Sequence, residues 1–282
     1  MSGEDDSIII SHDDRVMTIL MNRPHKLNAY SGDMKPRLIE AIREGDESDR
    51  VGCMIIKGAG TSFSSGSDLS ADVKPDSVTY QNTYETSIKD DIRRLRRNNA
   101  SSAFFDSKLQ TPIIAQVHGW CLAGGLEIAM KCDLIVAADD AKFGYPIVRN
   151  TASPPTHMFT YLMGTQWSRY LLYTGDHVDG RTAARIGLAL LSVPLEELDE
   201  RVNALAQRIA TVPPELIAIN KAICEQALDA MGRPLLQELA LEADAIAHKT
   251  TVMKNFYEIG ETDGYKAALE FINKPYTNEP AT

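Results

Sequence analysis

The residues best suited to chemistry lie in HGWCLAGGLEIAMKCD, residues 118 to 133, where an apolar run meets two glycines and opens a helical pattern carrying one carboxylate. Gly124 and Gly125 let backbone N–H groups come close to a ligand, and Glu127 follows one turn later. Amides at a helix start have no intrahelical acceptor and sit at the positive end of the helix dipole, so they attract developing negative charge. The segment therefore reads as half of an oxyanion hole beside an acid or base. Glu127 lies in an apolar run with Leu122, Leu126, Ile128, Ala129 and Met130. It is either a surface residue of a half-buried helix or a carboxylate facing a pocket.

The elements that must position these groups follow from the patterning. RVMTILM (15 to 21) and VGCMIIK (51 to 57) are rich in apolar and β-branched residues, and a helical pattern at 33 to 46 separates them, which predicts β-α-β. The second strand runs into GAGTSFSSGSDLS (58 to 70), a glycine and serine loop. PIIAQVHG (112 to 119) is a strand that ends in the next glycine loop and helix, and LIVAADD (134 to 140) is a further strand, so the chain uses one device twice. Residues 72 to 110 are polar and partly helical, which suits a segment over a pocket. After residue 160 the pattern is helical, with an amphipathic stretch at 195 to 211, another after Pro213 and Pro214, and a last one at 234 to 272. The expected division is a core domain at 1–195 carrying the site and a helical region at 196–282 for assembly and pocket closure.

Composition excludes several classes. With 282 residues, 44% hydrophobic and 24% charged, the chain can bury a large core and lacks the bias of a disordered protein. A net charge of −10 argues against nucleic acid as a partner, and the basic cluster RRLRR at 93 to 97 reads as a solvated helix face. No apolar run reaches membrane-span length, and MSGEDDSIII fits neither a signal nor a transit peptide, so no membrane partner and a cytoplasmic location are expected. Cys53, Cys121, Cys132 and Cys224 form no CxxC and read as reduced thiols, with no metal site expected. FSSGSDL is not GxSxG, and GAGTSF lacks the third glycine of a dinucleotide fingerprint.

Five segments in order carry a resemblance to a known family. NRPHKLNAY (22 to 30) resembles an NRP-x-x-x-NAL segment, FSSGSDL (63 to 69) resembles a loop written FxAGxDL, and HGWCLAGGLEIAMKCDLIVA, AKFGYP (141 to 146) and ARIGLALLSVP (184 to 194) resemble its later landmarks. On these residues the chain resembles the crotonase superfamily, the enoyl-CoA hydratase and isomerase fold, over nearly its whole length. The resemblance implies an α/β fold, a spiral of β-β-α turns with a helical C-terminal trimerisation region. It implies a homotrimer or dimer of trimers, and an acyl-CoA thioester as ligand, with coenzyme A entering as part of the substrate and no permanently bound cofactor. It places the oxyanion donors at the amides of Ser67 and Gly124 and the acid/base at Glu127. Preorganised donors of this kind are each worth about 3 to 4 kcal/mol of transition-state stabilisation.

The resemblance also marks a gap. Hydratases of the family carry a second glutamate directly after the landmark that ends at Pro146, and the residue here is Ile147. From Ala141 to Gly175 there is no aspartate or glutamate, and the loop reads NTASPPTHM. Syn addition of water needs one group to deprotonate water and one to protonate the α-carbon, or a concerted equivalent. Tyr145, His157 and Tyr161 are the candidate auxiliary acids of that stretch, with Tyr145 and His157 foremost, and Glu85, Asp90 and Asp91 are expected to be solvated. Asp68 and Asp133 are expected to cap turns beside the two loops. By resemblance the substrate-binding positions are Arg23, Lys26, Ala29, Ser65, Asp68, Leu69, Trp120, Tyr145, Ile147 and Lys274, with Arg23, Lys26 and Lys274 near the nucleotide. Hydration of an enoyl-CoA is the first expectation. Double-bond isomerisation or hydrolysis of a bulky acyl-CoA, and silent acyl-CoA binding, are the alternatives.

Overall fold

The computed structural model describes residues 7–30, 34–68, 84–100, 109–149 and 153–274. Leu69 and much of the segment 72 to 110 lie outside them. The chain opens with β1 (Ile8–Asp13) and β2 (Val16–Met21), an antiparallel pair, and continues through α1 (Met34–Glu47) to β3 (Cys53–Gly58). After α2 (Ile88–Ala100) come β4 (Ile113–Val117), β5 (Trp120–Leu122), α3 (Gly124–Lys131), β6 (Leu134–Ala138) and β7 (Lys142–Gly144). Next are α4 (Phe159–Thr174), β8 (His177–Asp179), α5 (Gly180–Ile186) and β9 (Leu191–Val193). The helices α6 (Leu195–Ala210), α7 (Pro214–Ala230), α8 (Arg233–Ala247), α9 (Thr251–Asp263) and α10 (Tyr265–Asn273) complete it.

A six-stranded sheet has the order β1-β2-β3-β4-β6-β9, and all its pairings after the first are parallel. A second sheet, β5-β7-β8, branches from the turn after β4. The α/β class expected from the sequence is what forms. Parallel strands are covered on both faces, which is why β4 reads IIAQV with every residue buried. One cover is α6, whose buried residues Leu198, Val202, Ala206 and Ala210 recur every four positions and pack over β3, β4 and β6. The helix over 195–210 thus closes the main core rather than standing apart from it.

Two expectations change. The stretch at 234 to 272 is three helices: Thr250 caps the start of α9 by accepting from the Met253 amide at 3.3 Å, and Gly264, at φ +84°, separates α9 from α10. The basic cluster is not simply a solvated face. Leu95 packs on Leu241 and Ala245 of α8, Arg96 pairs with Glu238 and Glu242, and Arg94 pairs with Asp91 at 2.6 Å.

Candidate active site

The site forms where the first loop lies against the second. Asn28, fully buried, accepts from the Arg23 amide at 2.8 Å and donates to the carbonyls of Ala59 (2.8 Å) and Ser62 (2.7 Å), binding the N-terminal segment to the first loop. Ser64 continues the stitching: its hydroxyl donates to the Asn28 carbonyl at 2.9 Å and accepts from the Gly66 amide at 3.2 Å. The second loop joins through a parallel bridge of Ser64 with Cys121, in which the Ser64 amide donates to Trp120 (3.0 Å) and the Leu122 amide donates to Ser64 (3.0 Å). A Cβ on Gly66 would stand only 3.2 Å from the Gly124 nitrogen, so the two loops touch.

The amides of Ser67 and Gly124 are left over by this pairing. Tyr30 and Ser67 form a parallel bridge in which the Tyr30 amide donates to Gly66 (2.9 Å) and its carbonyl accepts from Asp68 (3.1 Å), which turns the Ser67 amide away. Gly124 opens α3 and has no intrahelical acceptor. Among the described residues neither amide donates to a backbone acceptor outside the regular elements.

The strained turn falls before the glycines. Ala123 has φ +49° and ψ −121°, pinned by its amide donating to Gly144 at 3.0 Å. Gly124 and Gly125 are instead required by close approach. A Cβ at Gly124 would stand 1.8 Å from the Tyr30 hydroxyl oxygen, and one at Gly125 would stand 2.5 Å from the Ser64 carbonyl oxygen.

Glu127 is half-buried and faces this junction rather than the outer surface. The Thr156 hydroxyl donates to Glu127 Oε1 at 3.0 Å and the Thr156 amide at 3.5 Å. Burial raises the Glu127 carboxyl above its usual range, while Lys131, the two Thr156 hydrogen bonds and Lys35 pull it back. Tyr145 is buried, edge-on to Phe159 at 5.5 Å. Its phenol is pushed well up by burial, by the Glu127 charge and by a hydrogen bond to that carboxylate. Burial and the Lys131 charge push Lys35 down to about 8, against the pull of Glu127. Thr156, Tyr30, Lys35 and Lys131 surround Glu127 and were not singled out in the sequence: Tyr30, Lys131 and Thr156 stand in quoted segments that give them no role, and Lys35 stands only in the helical pattern at 33 to 46.

Removing the Thr156 hydroxyl, while its backbone amide stays, should make Glu127 still harder to ionise. In Thr156→Val the acidic limb of the pH–rate profile moves to higher pH, because the base works deprotonated. At neutral pH kcat/KM falls about tenfold, the worth of one charge-assisted hydrogen bond. A pH profile of the two proteins checks this.

The other expected residues are placed as follows. Arg23 sends Nη1 to the Ala29 carbonyl (2.6 Å) and to Asp68 (2.9 Å), so its charge is spent inside the fold and Asp68 is an ion-pair partner rather than only a turn cap. Ala29 is buried, Ser65 donates its amide to Leu27 at 2.9 Å, and Lys26 ends a short 3-10 turn. Trp120 packs against His177 at 5.6 Å with Lys142 Nζ 4.5 Å over its ring. Ile147 is half-buried beyond β7, and Lys274 is exposed at the end of α10. Tyr161 points to the Met231 carbonyl (3.4 Å) and does not share Glu127's hydrogen bonds. His157 has φ +41°, its ring stands 6.4 Å from Phe159, and its buried Nδ1 has no hydrogen-bond partner among the described residues. Asp133 accepts from the Ile113 amide at 2.8 Å and from Lys221 at 2.8 Å, a structural role.

Asp91 corrects an expectation. It is buried, not solvated: His248 Nδ1 lies 2.7 Å away and Arg94 2.6 Å away. Burial alone would raise its carboxyl, but the hydrogen bonds from His248 and Arg94 hold it below the ordinary range. The same histidine reaches toward Asp244 at 3.8 Å, and Asp244 accepts from the Ser153 amide at 3.0 Å. Gln237 of the same helix donates to the Thr156 carbonyl at 3.0 Å, so α8 holds the loop that carries Thr156. Glu85 and Asp90 are exposed, as expected.

This architecture, a parallel sheet with a branching second sheet and two touching glycine loops beside one half-buried carboxylate, defines a mixed α/β protein with its candidate site at the loop junction. The enoyl-CoA hydratase/isomerase family model matches residues 11–263, and the chain belongs to that family, within the crotonase superfamily. It is 30% identical over 244 residues to the crotonyl-CoA hydratase of Syntrophomonas wolfei, covering 85% of this chain and 88% of the relative. It is 27% identical over 270 residues to the short-chain-enoyl-CoA hydratase of Clostridium acetobutylicum, covering 92% and 98%. The crystal structure of an enoyl-CoA hydratase from Mycobacterium smegmatis superposes with a TM-score of 0.87 at 28% identity, covering 97% and 95%. Among the described residues no helix is long and apolar enough to cross a membrane.

Proposed function

We propose that this chain hydrates an enoyl-CoA through an enolate-like intermediate, with the thioester oxygen between the Ser67 and Gly124 amides and Glu127 as the acid/base. The observation that carries the reading is Glu127, a carboxylate desolvated but ionisable, held by Thr156 at 3.0 Å beside the helix start of Gly124. Glu127 takes a proton from water as the oxygen bonds to the β-carbon, and the double-bond electrons move onto the thioester oxygen. The enolate then collapses as Glu127 returns the proton to the α-carbon. One carboxylate thus serves as base and then as acid, and Tyr145 stays protonated and holds its orientation. Preorganised amides supply about 3 to 4 kcal/mol each without reorganising. Coenzyme A enters as part of the substrate, and Lys26 and Lys274 are the cations offered to its phosphates.

Assembly as a trimer or paired trimers belongs to the same reading. Leu216, Ile219 and Ile223 of α7 and Leu235 and Leu239 of α8 are exposed apolar residues at helical spacing, the kind of surface a second copy covers. In this reading the helices after α6 serve assembly, and α8 closes the pocket by holding the loop that carries Thr156.

Ile147 favours a second reading, double-bond migration or hydrolysis of a bulky acyl-CoA, since the groups hydrogen-bonded to Glu127 are hydroxyls and an amide rather than a second carboxylate. A panel of acyl-CoA esters with mass readout separates them: hydration adds one water, migration leaves the mass unchanged, and hydrolysis releases free thiol. Rapid gain of water on simple enoyl esters supports the first reading and counts against the second. Calorimetric binding with no turnover on any ester would instead make the chain a silent acyl-CoA binder.

A further inference from the structure

We propose that the Tyr30 hydroxyl is a third donor to the thioester oxygen, acting beside the Ser67 and Gly124 amides. The proposal rests on the reading that this oxygen lies between those amides.

The phenol sits against both donor residues. A Cβ on Gly124 would fall 1.8 Å from the Tyr30 oxygen and 2.7 Å from its Cζ, so the hydroxyl is in contact with the residue whose amide opens α3. At its other end Tyr30 is bridged to Ser67 by the hydrogen bonds to Gly66 and Asp68, which fixes its backbone against the first loop. The hydroxyl therefore lies beside Gly124, and its hydrogen-bond contact with the Ser67 side chain keeps it beside the first loop as well. It belongs to this chain's own sequence, since NAY stands here where the resemblance has NAL.

The chemistry of the phenol suits donation. Burial and the Glu127 charge push it up to about 12, while a hydrogen bond with the Ser67 side chain pulls the other way. It stays protonated throughout the range in which Glu127 works as a base. A phenol oxygen can accept from one hydroxyl and still give its own hydrogen to another acceptor, so a contact with Ser67 is compatible with donation to an oxyanion. An oxyanion forming beside it would gain a short hydrogen bond from a neutral donor in a water-poor site, where such bonds strengthen as charge develops.

Tyr30→Phe keeps the ring and removes only the donor. With crotonyl-CoA as substrate, kcat is expected to fall about 10- to 100-fold while KM changes less than about threefold, the pattern of a bond made in the transition state. The infrared carbonyl stretch of bound, 13C-labelled butyryl-CoA, which is saturated and not hydrated, should be lowered less by the variant than by the wild type. Two results would overturn the role of Tyr30 alone: a lowered wild-type carbonyl that Tyr30→Phe leaves in place with kcat unchanged, or a variant with lower KM and undiminished kcat, which would make the hydroxyl an obstacle to binding. A wild-type carbonyl unshifted from solution would overturn the oxyanion reading itself and this proposal with it.

Discussion

Glu127→Gln is expected to lower kcat by about 10³-fold while the protein melts at the same temperature or slightly higher. Glutamine has the shape of glutamate and still accepts from the Thr156 hydroxyl, now 3.0 Å from Oε1, so the local contacts survive. What is lost is the only role glutamine cannot fill, taking a proton and giving it back. The stability side has a definite sign. Burial raises the Glu127 carboxyl in the folded state, so its ionisation costs stability as pH rises from the unfolded to the folded value, and at neutral pH the uncharged amide relieves that cost. Steady-state kinetics and a thermal melt at neutral pH read the two effects together. A kcat within tenfold of wild type would remove Glu127 from the chemistry.

Gly125→Ala should lower kcat/KM by about 100-fold through geometry alone. Gly125 is not at positive φ, so alanine can adopt its backbone angles, and in a helix alanine is intrinsically favoured by roughly 1 kcal/mol. The added methyl, however, would lie 2.5 Å from the Ser64 carbonyl oxygen and 2.8 Å from the Ser64 Cβ. A backbone oxygen cannot swing aside as a flexible side chain can. Ser64 is tied to Asn28 and bridged to Cys121, so relief comes from parting the two loops, and the amides of Ser67 and Gly124 separate with them. Kinetics with an unchanged circular dichroism spectrum would support this, whereas a variant of wild-type activity would show that the loops do not need their close contact.

The strands and the two loops were legible because they depend on local patterns. Buried parallel strands read as apolar runs, and VGCMIIK, PIIAQV and LIVAA stand where β3, β4 and β6 form. Glu127 was legible because it sits in a polar position of an otherwise apolar run. Its surroundings were not, since they come from distant parts of the chain: Thr156 lies 29 residues away, and Lys35 and Tyr30 lie far earlier in the sequence. Polar residues 72 to 110 suggested solvated carboxylates, yet Asp91 is buried because His248, 157 residues away, supplies its partner. Arg23 read as a cation near the nucleotide for the same reason, its partner Asp68 being invisible as such in sequence. The glycines show the converse limit. Their presence was plain, but only the structure separates those needed for a left-handed turn, such as Gly264, from those needed for a close approach, such as Gly124 and Gly125.

The most direct test of the account is to incubate crotonyl-CoA with the protein in deuterated water and read the α-carbon of the product by mass and NMR. The wild type should deliver 3-hydroxybutyryl-CoA carrying one deuterium at that carbon, and Glu127→Gln should deliver essentially none in the same time. Crotonyl-CoA that binds without acquiring deuterium, or acquires it equally fast with both proteins, would contradict an enolate formed and quenched through Glu127.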